Sequence, residues 1–358
     1  MLFPYTYVPH KLVKMHEFID FIFNDVWCHA LISVPFSFDL FNGKPELKEL
    51  MESFHYSDTT GADFFNSHVE RIYGLFALLS PAQISQFRQW YNANNDIEKV
   101  CANDPATCIA RYNDIPLTHK ALSEQLAAFF KGLYSQTLLG LKAVQDKVGD
   151  IDNHYDNFMG SNKVGKCPFC GISDLKGIYH SKREAYDHYL PKALYPFNSI
   201  NFHNLVPACH ECNSSYKTSK DPAFTPKDPA GATHRRKIFY PFARPGYSID
   251  ITINLLKPDV DNLTPKDIQM SFGPTGIAEE IDTWKDVYGI EERYKAKCCT
   301  ESDGKYWFTQ VLDEWKEDGR SPADFLTTLR RQAKKAPFAN DNFLKKAFIE
   351  GCNRVGLF

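Results

Sequence analysis

CPFC at residues 167–170 and CHEC at residues 209–212 govern how the middle of this chain must fold. Two residues between cysteines let both thiolates of a pair face one ion, and two such pairs supply the four ligands of a tetrahedral zinc. Cys167, Cys170, Cys209 and Cys212 therefore read as a structural zinc site. Either pair alone also has a redox reading; the two together favour metal. Between Cys170 and Cys209 lie 38 residues (209 − 170 − 1), more than a compact zinc ribbon needs, so the ion closes a loop large enough to hold another element. Zinc in small sites contributes on the order of 10 kcal/mol to folding, so loss of one thiolate is expected to unfold the module. The remaining cysteines (Cys28, Cys101, Cys108, Cys298, Cys299 and Cys352) show no pairing pattern and are expected to be reduced.

Inside the loop, YDHYLPK at residues 186–192 sets Asp187 beside His188, and FHNLVPACHECNSSYK follows at 202–217 with Asn204, Asn213 and Lys217. An acid next to a histidine is by itself most often a surface or capping feature. Within a four-cysteine loop that also carries two placed asparagines, a catalytic reading gains weight. Phosphodiester hydrolysis needs a base to activate water and a divalent cation to carry charge on the phosphate and leaving oxygen. A histidine can be that base, while Asp and Asn oxygens suit Mg²⁺.

The order C-x-x-C, DHYLPK, NLVPACHECN and a downstream lysine resembles the HNH endonucleases, and is similar to their zinc-bearing members. The resemblance covers roughly residues 166–220 and implies a ββα-metal finger of two antiparallel strands and a helix, braced by the cysteines. By it, His188 on the first strand is the general base. Asp187 binds the catalytic Mg²⁺ or Mn²⁺, and Asn213, opening the helix, is the second protein ligand. Asn204 fixes backbone geometry around the histidine, and Lys217 contacts phosphate. The last motif position is often histidine, so Asn213 is a variant. His210, inside CHEC, is a rival that zinc binding by its neighbours should turn outward; His180 and His203 read as structural or phosphate-contacting.

The flanks differ in pattern. Residues 1–160 read as a helical N-terminal domain, regulatory or partner-binding. Ser80, Pro81 and Gln83 form an N-cap, first-turn proline and capping box. A long segment after Thr118 carries Leu122, Leu126, Phe129 and Leu133, then Leu141, Val144 and Val148, at helical spacing. The aromatics Phe64, Phe65, Tyr73, Phe76, Trp90 and Tyr91 suit a core better than base stacking. DNHYDNFMGSNKVGK, from 152 to 166, reads as a linker or loop into the 161–245 nuclease domain. PKALYPF at 191–197 is a candidate specificity loop. In the mixed 246–358 region, Ile249, Ile251, Ile253 and Leu255 alternate with polar residues, as do Ile268, Met270 and Phe272, so two strands are expected to pair as a long-looped hairpin. Helices follow, one opened by Ser321 and Pro322. The fold class expected is α+β, mostly helical.

With 43% hydrophobic and 24% charged residues the composition is that of a globular chain with a real core. No stretch is long and apolar enough to span a membrane and no signal peptide is apparent, so a cytoplasmic protein without a membrane partner is expected. The net charge of −3 conceals an asymmetry. Residues 161–244 hold 13 Lys and Arg against 6 Asp and Glu, leaving 28 against 38 elsewhere. A basic middle is compatible with a polyanion-binding face. Lys192, Lys217 and the HRRK cluster, with Arg235, Arg236 and Lys237, are its candidate contacts. The expectation is a metal-dependent endonuclease acting on DNA, and the HNH resemblance implies a 5′-phosphate and a 3′-hydroxyl as its products. The resemblance also suggests an effector of bacterial anti-phage or restriction systems held in check by a regulatory protein partner, such as an ATPase. One site cuts one strand, so a double-strand break requires a homo-oligomer or a second encounter. An RNase using the same site is the rival enzyme. A non-catalytic zinc finger that grips nucleic acid or protein is the rival from another class.

Overall fold

The computed structural model describes residues 1–115, 119–244 and 246–358, so Thr118 and the expected boundary at 245 lie outside the described residues. The molecule is α+β and mostly helical. Nine α-helices precede the cysteine-rich centre among the described residues: α1 (Val13–Phe21), α2 (Pro45–His55), α3 (Thr60–Phe76), α4 (Pro81–Asn95), α5 (Ile97–Cys101), α6 (Lys120–Leu133), α7 (Gln136–Leu139), α8 (Lys142–Val148) and α9 (Ile151–Ser161). The centre holds strands β1 (Tyr186–His188) and β2 (Leu205–Pro207), then a helical segment, Glu211–Lys217. Strands β3 (Asp250–Leu255) and β4 (Ile268–Gly273) follow, and then α10 (Ala278–Tyr288), α11 (Ile290–Cys299), α12 (Tyr306–Asp318), α13 (Pro322–Lys335) and α14 (Asn342–Arg354). No described helix is long and apolar enough to cross a membrane.

Local chemistry explains many of these boundaries. Ser80 accepts from the Gln83 amide while Gln83 reaches back to the Ser80 amide, the full capping box, with Pro81 in the first turn. Ser321 caps α13 by accepting from the Asp324 amide, ahead of Pro322. The stripe Leu122, Leu126, Phe129 and Leu133 lies buried on α6, which packs against α3. The segment is not one helix, however. Ser135 caps α7, Gly140 ends it, and α8 restarts at Lys142, so Val144 and Val148 are buried from a separate element. Phe65, Tyr73, Phe76 and Tyr91 are buried core, consistent with packing rather than base stacking.

The 152–166 stretch departs from its expected linker character. Asp150 caps a helix, α9, that buries His154, Tyr155, Phe158 and Met159. Those four recur at i, i+1, i+4 and i+5, a single helical face hidden among polar neighbours. β3 and β4 form the expected antiparallel hairpin, pairing Ile253 with Met270 and Leu255 with Ile268. α14 packs on β3, where the Gly351 Cα lies so close that a Cβ would sit 2.6 Å from the Ile253 carbonyl oxygen.

Candidate metal centre and catalytic site

Two cysteine knuckles hold the centre together. The Sγ atoms of Cys167, Cys170, Cys209 and Cys212 all lie within 4.8 Å of one another, and all four residues are buried. With Zn–S near 2.3 Å, a tetrahedral centre needs sulfurs about 3.8 Å apart, so the cluster fits that ion. Gly171 closes the first knuckle. Its φ is +72°, and a Cβ there would meet Leu2 at 2.3 Å, so only glycine fits. Its amide donates to the Cys167 carbonyl at 2.7 Å. The second knuckle closes with the Cys212 amide donating to Cys209 Sγ at 3.4 Å.

The C-terminal helices brace this centre. Trp284 donates to the Phe169 carbonyl at 2.6 Å, and the Tyr294 hydroxyl to the Cys170 carbonyl at 2.7 Å. Arg293 Nη1 donates to Cys212 Sγ at 3.2 Å, and its guanidinium lies 4.7 Å from the Tyr216 ring centroid. Four thiolates around a divalent ion carry a net negative charge, which this cation offsets. Arg293 was not legible in the sequence, because 81 residues separate it from Cys212 and no local pattern marks it.

Between the knuckles, β1 and β2 pair antiparallel, with Asp187 opposite Val206 and His188 opposite Leu205. The helical segment Glu211–Lys217 follows, closing with the Thr218 amide on the Asn213 carbonyl at 3.0 Å. Successive strand residues face opposite ways. Asp187 accordingly meets Lys217 on this segment, while His188 meets the edge of Tyr134, whose ring centroid is 5.0 Å away.

His188 Nε2 lies 3.0 Å from the Ser199 carbonyl. A carbonyl can only accept, so Nε2 carries the proton and the lone pair sits on Nδ1. Burial, reinforced by the Lys192 charge, pushes the imidazole pKa down to about 3, so the ring is neutral at physiological pH. Ser199 is fixed in turn. Asn94, fully buried on α4, donates to the Ala110 and Pro196 carbonyls, and Asn198 donates to the Asn94 carbonyl. PKALYPF is thus an anchor rather than an open specificity loop. Tyr195 and Phe197 are wholly buried, and Phe197 holds φ +81° among Phe23, Tyr91 and Phe130. A positive φ on a non-glycine costs on the order of 1–3 kcal/mol, which aromatic packing offsets.

Asn204 is fully buried and clamps the segment after the histidine. Its Oδ1 accepts from the Leu190 amide at 2.7 Å, and its Nδ2 donates to the Leu190 carbonyl at 3.1 Å. Asp187 is buried too. Its Oδ1 accepts from Lys217 Nζ at 2.8 Å, while Oδ2 has no hydrogen-bond partner among the described residues. Burial pushes its carboxyl pKa up and the Lys217 charge opposes that. Asn213, half-buried, precedes Lys217 by four residues on the same helical segment. Carboxylate and amide oxygens such as those of Asp187 and Asn213 are donors that suit a hard divalent cation.

The expected phosphate contacts need correction. Lys217 is 1% exposed, and its ammonium is shared between Asp187 and the His188 carbonyl, each at 2.8 Å. Arg236 is buried against the Pro222 and Asp221 carbonyls and the Asp286 carboxylate. Arg235 donates to the Thr107 and Val100 carbonyls, and Lys192 to the Lys131 carbonyl at the end of α6. These cations satisfy carbonyls at element ends and tie the centre to its flanks. Lys237 alone of the candidates is exposed. His210 is turned outward, as expected, with 78% of its side chain exposed. His203 stacks on Tyr7 and bonds the Tyr240 hydroxyl, and His180 folds back on Gly177.

No family model matches this chain, and no solved structure matches it. A stretch of 75 residues is 40% identical to protein ea31 of Escherichia phage lambda. That stretch is 21% of this chain and 22% of the phage protein, so the chain spans about a fifth of that relative's length.

Proposed function

We propose that this chain is a metal-dependent endonuclease of the HNH type that hydrolyses phosphodiester bonds in DNA, with the 186–217 region as its ββα-metal finger. The observation that carries the reading is the tautomer of His188. The Ser199 carbonyl holds the proton on Nε2 and leaves the Nδ1 lone pair free to take a proton from water. Its low pKa keeps that nitrogen unprotonated at neutral pH.

The second support is the unpartnered Asp187 Oδ2 in a buried position, an acceptor in want of a cation. Asp187 and Asn213 would hold Mg²⁺ or Mn²⁺. When bound, that ion supplies positive charge to the scissile phosphate and to the leaving 3′-oxygen. Burial pushes the Asp187 carboxyl pKa up, and the Lys217 charge beside it opposes that push. Asn204 holds the Leu190 backbone, and with it the exit of the histidine strand. The zinc centre holds both knuckles together without entering the chemistry.

The test is plasmid nicking with added Mg²⁺ or Mn²⁺, with wild type and His188→Ala compared at equal zinc content, and a structured RNA run in parallel. Wild type is expected to nick DNA and the folded variant to lose that activity by orders of magnitude. A folded His188→Ala protein that nicks as fast as wild type would sink the assignment. Cleavage of RNA alone would move the substrate to RNA with the same residues.

A further inference from the structure

The net charge of −3 hides a second basic cluster outside the cysteine-rich centre. Residues 320–346 hold 7 Lys and Arg against 2 Asp and Glu, while the chain outside this stretch and outside residues 161–244 holds 21 against 36. The stretch covers α13, the turn after it and the start of α14. Part of its charge is already spent, since Arg320 pairs with Glu314, and Arg330 and Lys346 share Glu350. Arg331, Lys334, Lys335 and Lys345 form no ion pair among the described residues. The first three are exposed, and exposure alone suits a solvated helix face. Lys345 is different. It is half-buried, sits 5.6 Å from the Phe325 ring centroid and donates to Gln310 Oε1 at 2.8 Å. Two of its three N–H donors are left without an acceptor among the described residues. Burial pushes its pKa down, as for an ammonium that has lost water without gaining an ion-pair partner.

Lys345 lines a cleft of 380 Å³ between α12, α13 and α14, a volume at the lower end of ligand sites. Four charged side chains line it, Glu314, Arg320, Lys335 and Lys345. Both Glu314 oxygens are engaged, by Gln310 Nε2 at 3.3 Å and by Arg320 Nη1 at 2.6 Å, so Lys335 and Lys345 keep an excess of positive charge. Arg320 has 34% of its side chain exposed and Lys335 is exposed, so these cations are open to a ligand. Thr328 Oγ1 accepts from Arg320 Nη2 at 2.6 Å, which leaves its hydroxyl proton to donate. The cleft is held in shape from behind. Asp341, in the turn between the helices, pairs with Lys297 at 3.0 Å, and a Cβ on Gly171 would lie 3.2 Å from the Phe343 ring, so the hairpin rests on the first cysteine knuckle. A cationic ligand would add to the excess charge, and a neutral one would bury Lys345 further without a counter-ion. An anion with several acceptor oxygens answers both demands. Arg331 stands one helical turn before Lys335 on the same edge of α13, so the positive charge continues out of the cleft along the helix. A nucleic-acid strand carries one charge per ~3.4 Å of its axis and fits such a row, which a single small anion would leave mostly unused.

We propose that the α12–α13–α14 cleft seats a backbone phosphate of a DNA strand, and that the edge of α13 carrying Arg331 and Lys335 follows that strand outward. This surface lies outside the cysteine-rich centre and takes over the role that the buried Lys217, Arg235 and Arg236 cannot fill. Binding does not require cleavage, so the proposal stands independently of the nuclease reading.

The experiment uses the full chain with its zinc and no added Mg²⁺ or Mn²⁺. Fluorescence anisotropy of a labelled DNA duplex across a salt series gives affinity and its salt slope, with a labelled polyglutamate peptide as the second probe. The double variant Arg331→Glu, Lys335→Glu is expected to bind the duplex at least roughly tenfold more weakly, with the log–log salt slope reduced by about 2, the worth of two phosphate contacts. Lys345→Gln should reduce the slope by about 1. The charge-matched control Lys120→Glu, Lys142→Glu changes two exposed lysines outside the cleft and should keep the wild-type slope. The proposal is overturned if wild type does not bind the duplex, if the Arg331, Lys335 variant matches wild type, or if the control pair loses as much. Binding of polyglutamate as tightly as DNA would assign the cleft to an acidic protein and overturn it equally. Arg331 and Lys335 are exposed and form no ion pair, so misfolding of the Lys345 variant would not shield the proposal. Duplex binding through these residues without nicking under Mg²⁺ would sink the nuclease reading and leave this one, and nicking untouched by the variants would do the reverse.

Discussion

The pair Asp187–Lys217 offers the sharpest test of how the strand carrying His188 is held. Both residues are buried, 3% and 1% exposed, and the ammonium sits 2.8 Å from Asp187 Oδ1 and 2.8 Å from the His188 carbonyl. At an effective dielectric of about 20 the Coulomb attraction at that distance is about 6 kcal/mol before desolvation is counted. Lys217→Met removes the cation, keeps much of the volume, and leaves a buried carboxylate with both oxygens open. The expected cost is about 3–5 kcal/mol, mostly the penalty of the orphaned charge. Asp187→Asn alone leaves the ammonium without its counter-charge and should also destabilise. The double variant should recover much of the loss, giving a coupling of at least about 2 kcal/mol. Urea unfolding of the four zinc-loaded proteins measures it. Additivity of the two single changes to within about 0.5 kcal/mol would refute the reasoning and show Lys217 free in solution, available for phosphate after all.

Three further outcomes follow from other contacts. Cys170→Ser should bind zinc weakly and lose the order of residues 165–220, seen as lowered zinc content by metal analysis and as lost amide protection in that segment. Gly289→Ala forces a Cβ to within 2.4 Å of the Tyr216 ring at a position with φ +59°. The left-handed strain alone costs about 1–2 kcal/mol, and displacement of Tyr216 from Arg293 should add faster zinc loss to chelator; a melting temperature equal to wild type would count against this packing. His16 and His154 are each pushed down to about 4, chiefly by burial. Between pH 6.5 and 4 the unfolded chain therefore binds more protons at these sites than the folded one. Their contribution to stability is present above pH 6.5 and is lost as pH falls to 4, at up to about 1.4 kcal/mol per histidine per pH unit. Urea midpoints from pH 7 to 4.5 should fall less steeply for His154→Gln than for wild type, and parallel slopes would contradict the assignment.

What was legible and what was not divide along physical lines. The capping box at Ser80, the proline-led start of α13, the β3–β4 hairpin and the cysteine pairs depend on residues within a few positions of one another or on a strict period, and each can be read from the chain directly. The segment of α9 has the look of a linker in sequence because its apolar face is spaced by Asp, Asn and Gly, which carry turn propensity. The Asp150 cap opens the helix, and packing of His154 against Tyr186 and Phe202 buries its apolar face. The cations mislead for a related reason. A lysine or arginine in a basic stretch looks the same whether it faces phosphate or a helix end. Lys217, Arg235 and Arg236 are turned inward by partners 14 to 135 residues away.

The sequence by itself determined the chemistry on offer: four thiolates at metal spacing, and an acid, a histidine and two asparagines inside the loop they close. Residue identity fixes what a side chain can donate, accept or ligate, and no folding is needed to know it. Tertiary structure alone decided the state of each group. It set the proton on His188 Nε2 through the carbonyl of Ser199, closed Asp187 Oδ1 with Lys217 and left Oδ2 open, and brought Arg293 onto a zinc-type thiolate. Tautomer, ionisation and partner depend on distance and on exclusion of water, and those exist only once remote segments have packed together.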